Sequence, residues 1–308
     1  MKRTAKPTVT GVASGKGGVG KTLLAACMGT LLNEHLGLER HKVLLADLDF
    51  GVKGLTFLYA SAGSWERSGS GCMIDVISRK EDPREIIQRA NAFNRLVVVP
   101  AQIDFKRPIS WDTYLPPFRN LAGSIGSFID AAGEQGFEHI IFDTGAGLDQ
   151  ATVALSEHAD TIIVVVEPDE ISLTAAVDLR AELVSHREKL NLQFVVNKEP
   201  DNFPTKLQKM IKEKISFLPS IPLDQKLHAR FVRDARRVAS RGFSRTRYKR
   251  FVGLITNEIF GTAALTPTML DRVLRKTAAK MFFRLVGYGI VFFLLVAVVV
   301  ASISFWSG

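Results

Sequence analysis

The sequence predicts a doubly wound α/β domain, a mostly parallel β-sheet flanked by helices on both faces, followed by a C-terminal transmembrane helix. Three observations predict it. First, short apolar runs alternate with helix-like stretches: Val43–Ala46, Leu96–Val99, His139–Phe142, Thr161–Val166 and Phe194–Val196. None alternates polar with apolar residues, which is the pattern of strands buried on both faces. Second, a glycine-rich loop joins a strand-like segment, Thr8–Ala13, to a helix-like one, Leu23–Met28. Third, Leu285–Trp306 carries no charged residue, and about 20 apolar residues suffice to cross the hydrocarbon core of a bilayer.

The glycine-rich loop is Gly15-Lys16-Gly17-Gly18-Val19-Gly20-Lys21-Thr22. It fits the P-loop pattern G-x-x-x-x-G-K-[ST], in which backbone N–H groups form an anion nest at a helix N-terminus. Lys21 is placed to reach the β- and γ-phosphates of a nucleotide, and the Thr22 hydroxyl to ligate Mg²⁺. Lys16 is an addition that an ordinary P-loop does not require. A cation there can reach out of its own loop towards the phosphates of a facing subunit.

Sites in parallel sheets gather at the carboxyl ends of strands, and polar residues follow the apolar runs at that end: Asp47, Asp143, Glu167 and Asn197. Asp47 and Asp49 stand at i and i+2 on one side of an extended strand end, so one can face a metal shell and the other an attacking water. Asp143 is expected to hold Mg²⁺, directly or through water. Gly145 follows it and can offer its N–H to the γ-phosphate. Asn197-Lys198 opens like the guanine motif N-K-x-D, but the aspartate position is Pro200 and Asp201 comes one residue late. Adenine is therefore preferred, with the Asn197 amide at the base edge.

The loop with its second lysine resembles the deviant P-loop K-G-G-x-G-K-[ST] of the MinD/ParA family of ATPases, and the resemblance runs from about Val9 to Asp224. It implies ATP and Mg²⁺ as cofactors and a homodimer formed on ATP binding, with Lys16 crossing the interface. It also implies that Asp49 positions the attacking water, that Asp47 acts through Mg²⁺ or the switch loop, and that Ile221-Pro222-Leu223-Asp224 forms the base-side loop. Asp143-Thr144-Gly145-Ala146-Gly147 is closer to the flagellar-number branch than to the cell-division branch. After Asp49-Phe50-Gly51-Val52-Lys53 the latter usually has Asn and then Leu-Asp, whereas this chain has Gly54-Leu55-Thr56.

Composition narrows the class further. The chain has 308 residues, 46% of them hydrophobic, and a formal net charge of +9, which points to an anionic partner such as a membrane surface or nucleic acid. Its two cysteines, Cys27 and Cys72, have neither metal nor disulfide spacing, so an iron–sulfur carrier is disfavoured and a reducing compartment expected. Lys2, Arg3 and Lys6 are not followed by an apolar stretch, so no cleaved signal peptide is expected. A tyrosine-kinase-like P-loop protein is one alternative, but it calls for a tyrosine-rich tail, and there are four tyrosines in all. A DNA-binding partition ATPase is the other.

Two segments address the membrane. Arg272, Arg275, Lys276, Lys280 and Arg284 precede the uncharged run, so the ATPase domain is expected on the cytoplasmic side, with Trp306 at the far interface. Thr266-Pro267 is a helix-start signal. The basic stretch Lys226–Arg250 places Leu227, Phe231, Ala235 and Val238 at helical spacing among Arg230, Arg233, Arg236 and Arg237. It reads as an amphipathic helix whose charges suit anionic lipid head groups, at about 1 kcal/mol per basic residue near the surface, with nucleic acid the lesser alternative.

Elsewhere, 60–75 reads as a loop, 83–92 as a helix capped by Asp82, and 106–117 as an exposed connection. The expected organisation is an ATPase domain over 1–265 and an anchor over 266–308. The whole reads as a single-pass protein of the cytoplasmic membrane, in which an ATP-driven dimerisation switch positions or regulates an unidentified protein partner.

Overall fold

A computed structural model of the chain describes residues 6–36, 42–60, 71–93, 96–103, 118–200, 217–240, 243 and 246–261. They belong to a compact unit, Met1–Gly261. Its strands are β1 (Thr8–Ser14), β2 (Val43–Asp47), β3 (Asn91–Phe93), β4 (Leu96–Val99), β5 (His139–Ala146), β6 (Thr161–Val166), β7 (Asn191–Glu199) and β8 (Ile221–Pro222). Its helices are α1 (Lys21–His35), α2 (Gly54–Tyr59), α3 (Met73–Ile77), α4 (Pro83–Arg89), α5 (Phe118–Glu134), α6 (Gln150–Ser156), α7 (Glu170–His186), α8 (Gln225–Ser240) and α9 (Arg247–Phe260).

One sheet runs in the order β3-β4-β2-β5-β1-β6-β7-β8. Every pairing is parallel except that of β3 with β4. Each apolar run of the sequence lies in a strand, and the reason is visible in the packing. In β5, Ile140 and Phe142 face one core and Ile141 the other; in β6, Ile162, Val164 and Val166 face one and Ile163 and Val165 the other. Both faces are covered, so neither side of a strand is left for polar residues. On one face Phe128 of α5 packs near Phe142, with ring centroids 6.0 Å apart. On the other, Met28 of α1 and Val252 of α9 lie in the core with Leu45 of β2.

Local signals and tertiary pairing disagree in two places. Helix α4 starts as expected, with the Asp82 carboxylate accepting the Arg84 N–H at 2.8 Å, but it ends at Arg89 rather than at residue 92. Asn91–Phe93 instead pairs antiparallel with Leu96–Val98, an edge hydrogen-bonding gain that overrides helix propensity. Likewise, Met73–Ile77 forms α3 inside the expected loop 60–75. It is drawn in by Met73, Val76 and Ile77, which are at most 2% exposed.

Helix α8 forms as an amphipathic helix, with Leu227 and Val238 buried and Phe231 and Ala235 packed against the core. It kinks at Asp234 (φ −162°, ψ 84°), and the Arg237 N–H donates to the Asp234 carboxylate at 3.0 Å where the helix restarts. Beyond the kink, the Arg236 guanidinium lies 4.8 Å from the centroid of the Phe57 ring on α2. Among the described residues no helix is long and apolar enough to cross a membrane. The span expected at 285–306, the helix start at Thr266 and the connection 106–117 lie outside the described residues.

Phe128 is fully buried. Its replacement by alanine is expected to lower the unfolding free energy by about 3–5 kcal/mol, read as a lower urea midpoint with an unchanged denaturant slope.

Candidate functional site

From β1 the chain winds outward through β2 to β4, returns through β5 beside β1, and then leaves on the other side through β6, β7 and β8. This reversal opens a crevice at the carboxyl ends of the strands around β1. Loop 15–20 sits there, between β1 and α1. Gly20 has φ +97°, and a Cβ on it would lie 2.4 Å from the Asn197 amide nitrogen, so only glycine fits. That nitrogen donates to the Val19 carbonyl at 2.7 Å, and Lys198 Nζ donates to the Gly18 carbonyl at 2.7 Å. The end of β7 therefore braces the loop from outside. Lys21 is the first residue of α1 and is 7% exposed.

Two buried carboxylates stand beside it. Asp47 of β2 and Asp143 of β5 are register partners on adjacent strands, and both are fully buried. The Thr22 hydroxyl donates to Asp143 Oδ2 at 2.6 Å, while Asp143 Oδ1 is buried with no hydrogen-bond partner. Burial, and then the neighbouring Asp47 charge, push the Asp143 carboxyl well above its ordinary range; Thr22 and Lys21 pull the other way. Asp47 Oδ1 accepts the Asp49 N–H at 2.9 Å, and its Oδ2 accepts the Thr56 N–H at 2.7 Å and the Thr56 hydroxyl at 2.6 Å. Burial still dominates and raises Asp47 to about 7, against those hydrogen bonds.

This donor set fits Mg²⁺. A hydroxyl and an unpaired carboxylate oxygen face each other across the Thr22–Asp143 contact, and paired buried carboxylates call for a cation. Among the described residues no cluster of three or more His, Cys, Asp or Glu forms a metal cage. Mg²⁺ takes one or two carboxylates together with phosphate and water oxygens. The fit is to Asp143 and Thr22. Asp47, expected as a further ligand, has both oxygens committed to the loop it anchors, so its geometry favours a brace over a ligand.

The loop between Asp47 and α2 folds over the metal position. Asp49 is 9% exposed, and its Oδ1 accepts the Val52 N–H at 2.8 Å. A Cβ on Gly54 would lie 2.6 Å from the Thr22 hydroxyl oxygen. Where the cell-division branch has asparagine, this arrangement admits only glycine. Thr56, unmarked by the sequence, ties Asp47 to the Ala101 N–H, which donates to its hydroxyl at 2.8 Å. At the end of β5, Gly145 faces Asp149, whose Oδ2 is buried without a partner. That carboxyl lies above its ordinary range through burial. No motif marked it either.

Lys16 is held by its own chain, at 3.1 Å from Asp169 and 3.3 Å from Glu167. On the base side, Pro222 pairs with Glu199. Asp224 Oδ1 accepts the Leu227 N–H at 2.9 Å, and its Oδ2 accepts the Arg247 N–H at 3.0 Å. Its carboxylate joins the starts of α8 and α9. Asn197, expected at the base edge, donates one of its two amide N–H groups to Val19. Asp224 lines a cleft of about 580 Å³ together with Glu199, Pro200, Leu223, Lys226 and Arg247.

Comparison with known proteins places the chain. The AAA domain family matches residues 8–196. The septum site-determining protein MinD of Thermotoga maritima is 31% identical over 159 residues, 51% of each chain. The chain thus spans about half the length of the first curated relatives it matches. The fold is similar to that of a ParA family ATPase from Chlorobium tepidum, with TM-score 0.63 at 20% identity over 82% of this chain and 98% of that one. It is also similar to MinD from Pyrococcus horikoshii complexed with Mg-ADP, with TM-score 0.61 at 20% identity over 82% and 96%.

The raised carboxyls give a signed pH effect. A folded pKa above the unfolded one means that stability is full below the unfolded value of 3.8 and is lost as pH rises through about 7 for Asp47. Metal-free protein is expected to melt at a lower temperature at about pH 8 than at about pH 5, with Mg²⁺ and ATP reversing the loss. Calorimetric melting checks this, and Asp47→Asn should flatten the dependence.

Proposed function

The chain belongs to the AAA-domain family, and on that premise we propose a membrane-anchored, Mg²⁺-dependent P-loop ATPase of the MinD/ParA type. ATP brings two subunits face to face, and hydrolysis to ADP and phosphate releases them, switching a protein partner at the cytoplasmic membrane. The observation that carries the reading is the P-loop beside the Thr22–Asp143 contact, with the unpaired Asp143 oxygen next to it.

The loop N–H groups and Lys21 bind the β- and γ-phosphates. Thr22 and Asp143 would hold Mg²⁺, which would supply neutralisation of phosphate charge during hydrolysis. Asp49, fixed by the Val52 N–H, orients that water, and Asp47 keeps Asp49 and α2 in place. Gly145 offers its N–H to the γ-phosphate. The base enters the cleft by Pro222. Lys16 crosses to the partner's phosphates. Asp49→Ala is expected to retain ATP affinity while losing about 10²–10⁴-fold in turnover. Calorimetric titration and steady-state phosphate release check this, and wild-type turnover would remove Asp49 from the mechanism.

Anchoring is supported by the uncharged run Leu285–Trp306 and the basic residues before it. Exposed Lys226, Arg230, Arg233 and Arg237 on α8 suit anionic head groups. The same face supports the second reading, DNA binding by a partition-type ATPase. Cell fractionation separates the two. Full-length protein and Lys21→Ala should both stay in the membrane pellet through a carbonate wash, and a chain stopped after Arg284 should leave it. Release of the full-length protein by carbonate would reject the integral anchor.

A further inference from the structure

We propose that Glu167 and Asp169 are positioning residues that hold Lys16 on its own subunit and so set how much of it is offered to a second copy of this chain. The proposal rests on the dimer reading above. Lys16 Nζ donates to Glu167 Oε2 at 3.3 Å and to Asp169 Oδ2 at 3.1 Å. The Asp169 carboxylate and the Glu167 backbone are both fixed by Ser172. The Ser172 N–H donates to Asp169 Oδ1 at 2.8 Å, and the Ser172 hydroxyl accepts the Glu167 N–H at 2.9 Å. Ser172 is 1% exposed. The segment leading into α7 therefore presents to Lys16 an Asp169 carboxylate oriented by the Ser172 N–H and a Glu167 carboxylate that Lys198 also holds.

The hold is built to be released. The side chains of Lys16, Glu167 and Asp169 are 36%, 20% and 39% exposed, and ion pairs this wet are weak. Lys198 makes release easier still. Its Nζ donates to Glu167 Oε1 at 2.5 Å and to the Gly18 carbonyl. When Lys16 leaves, Glu167 keeps a cation and the loop keeps its brace. Two anchored carboxylates share two lysines, of which one is fixed to the loop backbone and the other is free to exchange its carboxylates for a phosphate across an interface.

The test uses the full chain in detergent, with turnover per subunit followed against protein concentration at saturating ATP and Mg²⁺. Glu167→Gln and Asp169→Asn preserve shape and remove charge. Each is expected to lower the half-maximal protein concentration about two- to five-fold, the range of a half-exposed ion pair, with KM for ATP unchanged. In a Lys16→Ala background neither substitution should have this effect. An unshifted midpoint in a wild type whose turnover depends on concentration and on Lys16 overturns the proposal alone, as does a shift that persists without Lys16. Turnover independent of protein concentration, or unaffected by Lys16→Ala, overturns the dimer reading and this proposal with it.

Discussion

Two carboxylates buried side by side at the ends of β2 and β5 are the constraint on which the site depends. Neither strand end is in water, so the charge of Asp47 and Asp143 must be met by hydrogen bonds, by a proton or by a cation. The chain meets the two differently. Asp47 receives three donors and becomes the peg of the loop leading to α2. Asp143 receives one donor and keeps an oxygen unsatisfied. That asymmetry separates a structural aspartate from a ligand-ready one, although the two occupy equivalent places in the sheet.

Much of this was legible beforehand. The P-loop, the parallel sheet and the strand-end aspartates followed from local patterns, because burial on both faces writes itself into a strand as an unbroken apolar run. What was not legible depends on partners far away in sequence. Asn91–Phe93 gives no strand signal apart from Leu96–Val98 beside it. The hydrogen bonds of Asp224 and Asn197 reach α8, α9 and loop 15–20, which no local pattern records. Thr56 and Asp149 carried no motif, since nothing in their immediate neighbours records that the fold will bring them to the crevice.

The departure from the cell-division branch after Lys53 has a steric basis. Gly54 allows the loop to rest on the Thr22 hydroxyl, and Thr56 then reaches Asp47 and Ala101 together. A larger residue at position 54 needs a more open loop, so Gly54 and Thr56 work as one local solution, with the loop closed tightly over the metal position. The basic side of the domain and its phosphate side are likewise arranged around a single short helix, α2.

That helix ends in a mechanical linkage. Phe57 lies beneath the Arg236 guanidinium, just after the break in α8 at Asp234. The root of α2 is pinned to Asp47 through Thr56, one residue before Phe57. A displacement of the phosphate-side loop must therefore either slide an aromatic ring out from under a cation or turn the second half of α8 about its break. The break separates Arg230 and Arg233 from Arg237, so a rotation there would tilt the two parts of this cationic face against each other.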